Sequence, residues 1–512
     1  MGDRDSGAGI LTFVGSLLVV VVLLAVFVVV AVTQGDSAAS SRSNLYPAGE
    51  SILPDLTPVA DLQTAPADEV HLAYAPDVPP PISRSEQRFY EVRLEVLENV
   101  CTIDPAKGVD IDMWGYRVEG DDEVVCGSPG PILRGRVGDM VRITLTNLPG
   151  NAHPHNIDFH AVTGQGGGAG DLTVAPGETA SIDVRLLYPG AFMYHCAFGD
   201  VPVHITHGMY GIFIVDPPEP LAAVDHEWSV VQSEWYVTEP DEAGLADLDR
   251  EALLSEEPTY VVFNGTVGSL TDAKALTMQV GERARIYFVN EGLNLDSNFH
   301  PIGSHWDVVY PEAATHPANP VIRGSQSTLV VAGGGTVVEI EGQVPSTIIL
   351  VDHALSRAFY KGAIGLINVE GEENPEIFGV SSPATASGAT ATPATPTPDA
   401  GQGDRSGTVH DVRMLPGSGT LQPMGDASEF ADNEDPADYS ANVLRVKAGD
   451  KVRFTNDDAG VIHTATAVDG SFDTGFLAGA ASAEVSFEVP GEYEYFCLPH
   501  PWMRAKIIVE AG

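Results

Sequence analysis

The segment YPGAFMYHCAFGDVPVHITHGM, Tyr188–Met209, places His195 directly before Cys196, His204 eight residues after Cys196 and Met209 five residues after that. A thiolate, an imidazole and a thioether delivered by one strand–loop segment are soft to borderline donors. With a second imidazole they make the set of a blue-copper centre, two His and one Cys in the equatorial plane and Met weakly on the axis. Adjacent side chains on a strand leave opposite faces. His195 is therefore not expected on the same metal as Cys196, and is placed to hold another.

Outward from this segment, an internal repeat emerges. Gly138-Asp-Met-Val-Arg-Ile143 recurs as Gly281-Glu-Arg-Ala-Arg-Ile286 and as Gly449-Asp-Lys-Val-Arg-Phe454. Each copy is followed by an Asn (Asn147, Asn290, Asn456) and then, seven to ten residues on, by a His (His155, His300, His463). Pro189-Gly190 precedes Cys196 by seven residues and Pro490-Gly491 precedes Cys497 by seven, whereas Pro345 plus seven lands on Asp352, followed by His353. Three copies of one β unit are present, and the middle one lacks the thiolate. Alternation such as Val92, Leu94 and Val96 against Arg93 and Glu95 marks strands, no long amphipathic helix is evident, and the body is all-β.

In the first copy, His155 and His160 bracket Asp158. An offset of five on a regular strand turns the two imidazoles to opposite faces, which matches the split between His195 and Cys196. One set is then His155, Cys196, His204 and Met209. The other is His160 and His195, which want a third imidazole that His300 or His353 offers. The third copy carries His463 and then Cys497, His500 and Met503, four protein ligands that leave no position for a substrate and describe an electron carrier; Met argues against zinc. His153, His207, His305 and His316 have no such support and read as ordinary structural histidines. His71, His226 and His410 read as solvent-facing residues of linkers or domain edges.

Around these copies, Ile10 to Val32 is an uncharged apolar run of 23 residues, long enough to span a bilayer and longer than a signal-peptide core. Residues 33–85, rich in Ala, Ser, Pro and Asp, read as a spacer. The three β units are expected at 86–218, 219–375 and 409–512, with 376–408 a flexible Ser/Ala/Thr/Pro/Gly tether. Asp and Glu outnumber Lys and Arg 71 to 26, a net charge of -45. That excess argues against nucleic acid and anionic lipid and favours a basic protein partner or adaptation to salt. Of four Cys, two lie in the metal-like motifs; Cys101 and Cys126 are either a disulfide of an oxidising compartment or two free thiols.

With these motifs assembled, residues 86 to 372 resemble a copper-containing nitrite reductase, through His155-Asn-Ile-Asp158-Phe-His160, His195-Cys196…His204…Met209, Phe299-His300-Pro-Ile302-Gly303 and Val351-Asp-His353. The eight-residue Cys196–His204 spacing is that of the family's shorter-loop branch, which includes membrane-anchored members. Residues 409 to 511 are similar to amicyanin and its relatives, through Cys497-x-x-His500-x-x-Met503 and Gly470-Ser-Phe-Asp-Thr-Gly475. The resemblance implies three cupredoxin-like Greek-key β-sandwiches after an N-terminal transmembrane helix, with copper as cofactor. His155, Cys196, His204 and Met209 would bind a type 1 copper, and His160, His195 and the His353 of an adjacent subunit a type 2 copper. His463, Cys497, His500 and Met503 would bind a second type 1 copper, giving two type 1 and one type 2 per chain.

Asp158 and His300 would hydrogen-bond and protonate nitrite, and Ile302 would pack over the open copper position. The implied protein is a homotrimeric, single-pass membrane enzyme of denitrification. Its domains lie on the extracytoplasmic face, and it takes electrons from an external donor such as a c-type cytochrome or a small copper protein through its own fused cupredoxin. Two other readings fit less well. A small multicopper oxidase would need several His-x-His pairs and a His-Cys-His, of which only His153-Pro-His155 is present. A non-enzymatic copper shuttle would need neither an open copper site nor the Asp158/His300 acid–base pair.

Overall fold

The computed structural model describes residues 52–379, apart from 67, 68 and 71, and residues 408–511, apart from 416–428, 431–441, 459–462, 469, 476, 478, 480 and 498–502. The apolar run 10–32 and most of the tether lie outside the described residues. Among those described, no helix is long and apolar enough to cross a membrane. The described residues from 56 onward belong to one compact unit.

The three sequence copies become three pairs of sheets. In each copy the strand beginning at the Gly-Asp or Gly-Glu turn lies parallel to the copy's opening strand: Met140–Asn147 beside Arg88–Asp104, Arg283–Asn290 beside His226–Trp235, and Asp450–Asn456 beside Val409–Met414. The repeated Asn is the last paired residue each time, opposite Val96, Gln232 and Met414. Its fully buried amide accounts for the repeat. Asn147 Nδ2 donates to Val174 O at 3.0 Å, Asn290 Nδ2 to Val330 O at 3.2 Å and Asn456 Nδ2 to Leu477 O at 2.8 Å. Val174, Val330 and Leu477 are in turn the bridge partners of His155, Ser297 and His463. The Asn thus ties down the segment that faces the first ligand, satisfying backbone carbonyls that burial would otherwise leave unpaired.

This register corrects the repeat. The counterpart of His155 and His463 in the middle copy is Ser297, and His300, three residues on, corresponds to Asp158. The middle copy has therefore lost the imidazole as well as the thiolate of the blue-copper set. Asp352, which stands where the Cys does, is fully buried and accepts from the Asn298 N–H at 3.2 Å and pairs with Arg357 at 3.0 Å.

Each sandwich fills with the inward residues of its alternating strands, such as Val92, Leu94 and Val96 against Val141, Ile143 and Leu145. The first two are joined by a further apolar layer that includes Ile132, Tyr210, Ile212, Ile214, Val231 and Val289. Beside that layer, buried Arg134 bridges Asp216 and Glu227, and Arg285 bridges Glu227 and Glu339. The segment read as a spacer is partly built into the body: Gln63–Thr64 pairs with Arg88–Phe89, and Leu72–Ala73 with Ile132–Leu133. Two-residue strands carry no periodicity, which is why composition alone hides them. His226 likewise is not a free edge residue. It opens the strand His226–Trp235, bonds to Glu282 at 2.8 Å and stacks on Trp228. His410 lies in a strand and pairs with Asp450. Cys101 and Cys126 form a disulfide, closing the alternative left open by the sequence.

Candidate metal centres

Cys196 directly follows the strand Gly190–His195. The chain then turns through the short helix Val201–Thr206, which presents His204, and returns so that Met209 O accepts from Cys196 N at 3.1 Å. His155 arrives from the segment bridged to Val174. The result is a convergence of donors: His155 Nδ1 to His204 Nδ1 3.2 Å, Cys196 Sγ to His204 Nδ1 3.3 Å and Cys196 Sγ to His155 Nδ1 3.9 Å. Atoms sharing one ion at about 2 Å each stand about 3–4 Å apart, so this set fits a metal. Its two nitrogens and one sulfur with a buried Met fit copper. His155, Cys196 and Met209 are fully buried and His204 is 8% exposed, making His204 the one member of the set with an edge toward solvent. Burial pushes the His204 imidazole down to about 4 and lowers His155, so both are neutral and available as donors near neutral pH.

His195 goes the other way, as the strand rule expects. Its Nδ1–H donates to Cys196 O at 3.1 Å, which leaves Nε2 as the free donor atom, 3.2 Å from His160 Nε2. Asp158, His160 and His195 gather within 4.8 Å. The route differs from the regular strand inferred from the offset of five, because only Asp158–Phe159 are in strand, paired with His195–Tyr194. Gly167 packs against Asp158: at its φ of +55° a Cβ would fall 1.9 Å from Asp158 Oδ1. The carboxylate is thus held by a wall that admits only glycine. Although His160 is exposed at the surface, partial desolvation of its ring and then the neighbouring His195 lower its imidazole.

His300 and His353 form a separate pair, ring centroids 5.0 Å apart. His300 Nδ1–H donates to Gln326 O at 2.5 Å, leaving its Nε2 free, and Ile302 packs against the small cluster of Ile349, Val351, Ala358 and Leu366. Among the described residues, no hydrogen bond or ring contact joins this pair to His160 and His195. His353 is exposed.

The third unit repeats the first. Cys497 N donates to Met503 O at 3.1 Å, Cys497 Sγ stands 3.5 Å from His463 Nδ1 and accepts from Thr464 N at 3.3 Å, and Cys497, His463 and Met503 are fully buried. His500 lies outside the described residues.

Sequence reasoning passed over several residues that crowd the first centre. The indole of Trp114 is surrounded by four imidazoles, stacked on His207 at 4.0 Å and within 5.2 Å of His153, His155 and His204. His153 and His207, read as structural, belong to this shell. Glu98 bonds to both His153 and His155. The signal available for Glu98 was an acidic residue amid a strand of otherwise alternating pattern, which by itself points nowhere.

Comparison with known proteins shows what the chain is similar to. Residues 104–219 match the family model described as "Multicopper oxidase", and residues 427–510 that of "Copper binding proteins, plastocyanin/azurin family". The chain is 42% identical over 313 residues, 61% of this chain and 76% of the relative, to a copper-containing nitrite reductase of Neisseria gonorrhoeae. It is 35% identical over 266 residues, 49% of this chain and 72% of the relative, to that of Pseudomonas chlororaphis. A solved copper nitrite reductase from Nitrosomonas europaea aligns with a TM-score of 0.48 at 34% identity, covering 56% of this chain and 96% of the other.

Proposed function

This chain belongs to the copper-containing nitrite reductase family and is a copper-dependent nitrite reductase, and we propose that its first two β units divide the work between the two donor sets that meet at His195-Cys196. The observation that carries this division is the adjacency itself: Cys196 converges with His155 and His204 while His195 converges with His160 and Asp158. Reduction of nitrite to nitric oxide takes one electron and two protons and releases water. Bound copper supplies one-electron chemistry at the thiolate set and a Lewis-acid position for nitrite at the all-imidazole set. Asp158 lies beside that position and hydrogen-bonds and protonates a nitrite oxygen. His300, its Nδ1 committed to Gln326, presents Nε2 for the second proton. Ile302 supplies an apolar wall. Two type 1 coppers and one type 2 copper per chain are expected; metal analysis with EPR of the purified protein tests this, and a protein lacking the type 2 signal would overturn it.

The type 2 set is completed by His353 of an adjacent copy in a homotrimer. Two imidazoles leave a three-His site short, and His353 is exposed, as are the apolar Leu329 and, two residues on, Leu355. A rotationally symmetric assembly pairs the two half-sites of every chain at once.

The third unit is an electron donor carried on the same chain, alongside an external donor such as a c-type cytochrome or small copper protein. Its four-ligand set has no room for substrate and the intervening tether permits an intramolecular encounter. Truncation from Ser381 onward should leave nitrite turnover unchanged with a small artificial reductant and slow it with the physiological protein donor. Equal rates with that donor would remove the third unit from the electron path. An anchor at residues 10–32, with the body on the extracytoplasmic side, belongs to the same proposal and is supported by the apolar run and by the Cys101–Cys126 disulfide.

A further inference from the structure

Behind the buried imidazole of the first centre stands a carboxylate with nothing left to chance in its orientation. Glu98 lies on the strand Arg88–Asp104, opposite Trp114, and its side chain is 9% exposed. Oε1 accepts from His155 Nε2 at 2.9 Å and from the His153 N–H at 2.9 Å. Oε2 accepts from the Ala152 N–H at 2.9 Å and from His153 Nδ1 at 3.2 Å. Four hydrogen bonds on two oxygens fix both the carboxylate and the loop that delivers His155. With Nε2–H donated to Glu98, the lone pair of His155 is on Nδ1, the atom that faces Cys196 and His204.

The third unit has built the same arrangement from different residues. Asp458, 8% exposed in its side chain, bonds at 3.1 Å to Nε2 of fully buried His463, whose Nδ1 faces Cys497. In the first unit the carboxylate comes from a distant strand, 57 residues before the imidazole; in the third it comes from the turn five residues before it. Two routes to one geometry argue that the carboxylate serves the metal centre and not the local backbone.

We propose that Glu98 is a positioning residue that fixes the donor tautomer of His155 and holds down the reduction potential of the first blue-copper centre. A fixed negative charge hydrogen-bonded to a ligand makes that ligand more basic and favours the more positive, oxidised ion. The lower the potential of the centre that passes the electron on, the greater the driving force toward the nitrite site. Asp458 acts in the same sense on the third-unit centre, so the two remain matched and neither becomes a trap.

The proposal rests on the copper reading of the first set and is tested in the full chain carrying Cys497→Ala, so that one blue centre reports. Glu98→Gln keeps the size of the side chain and removes its charge. Spectroelectrochemical titration should show the midpoint potential raised by at least 59 mV, a tenfold change in the one-electron equilibrium, with the blue absorption retained. Glu98→Asp, which keeps the charge, should lie closer to the parent. A smaller rise, no change or a fall overturns the proposal. Should Glu98→Gln fail to hold copper, Asp458→Asn in a Cys196→Ala background decides by the same criterion at the third-unit centre. Absence of a blue centre in the Cys497→Ala parent would instead overturn the copper reading itself.

Discussion

Asp158→Asn is expected to lower nitrite turnover about a hundredfold, the low end of what a positioned proton donor contributes, while the blue absorption of the same preparation is unchanged. Asp158 stands opposite His195 in the strand pair and shares a 4.8 Å cluster with His160 and His195, whereas the cluster of His155, Cys196 and His204 does not include it. Asparagine preserves the shape of the side chain in the space walled by Gly167, so the backbone and the imidazole pair should stay in place. What is lost is a group that can hand a proton to a nitrite oxygen. Steady-state turnover with an artificial reductant, read beside the visible spectrum, separates proton delivery from electron entry. Turnover equal to the parent's would end the proton role of Asp158.

Chains carrying His160→Ala and chains carrying His353→Ala should each be inactive alone, with their type 2 EPR signal lost, yet recover activity when co-expressed. One variant supplies an intact His353 and the other an intact His160–His195 pair, so a contact between unlike chains in one orientation forms a whole site. Random assembly of a closed ring yields about a quarter of parental sites. The expectation comes from separation within one chain. His160 and His195 touch each other, as do His300 and His353, and no hydrogen bond or ring contact among the described residues joins the two pairs. Co-expressed protein as inactive as either variant would mean that the third imidazole comes from the same chain and that the proposed trimer does not complete the site.

The legible part of this protein was whatever strand chemistry writes locally. The neighbours His195 and Cys196 had to diverge because a strand alternates, and they do. The Asn of each copy was visible as a recurrence, but its purpose was not: only the parallel register shows its amide reaching the carbonyl opposite the first ligand. Looking for the next imidazole after Asn290 led to His300, whereas the bridge to Val330 identifies Ser297 as the true counterpart of His155. The spacing from the Asn is nearly constant, eight residues to His155 and seven to both Ser297 and His463; what misled was the expectation of an imidazole at a position where the middle copy carries Ser.

His153, His207 and Glu98 were invisible as site residues because each is ordinary in its own stretch and acquires meaning from Trp114 and His155, which the fold brings to it from other strands. The pairing of Cys101 with Cys126 was open for a related reason, since two thiols 25 residues apart meet only if the intervening hairpin turns them toward each other.

The sequence by itself determined the donor atoms: which residues can bind a soft metal, which cannot share one, and how many times the unit recurs. Those are properties of side-chain chemistry and of the two-residue period of a strand. Tertiary structure alone decided which donors meet, which nitrogen of each imidazole is free to bind, and what stands behind it. Those depend on register between strands distant in the chain and on hydrogen bonds that burial makes obligatory. The junction His195-Cys196 belongs to both, since its divergence is local and the two centres it joins are not.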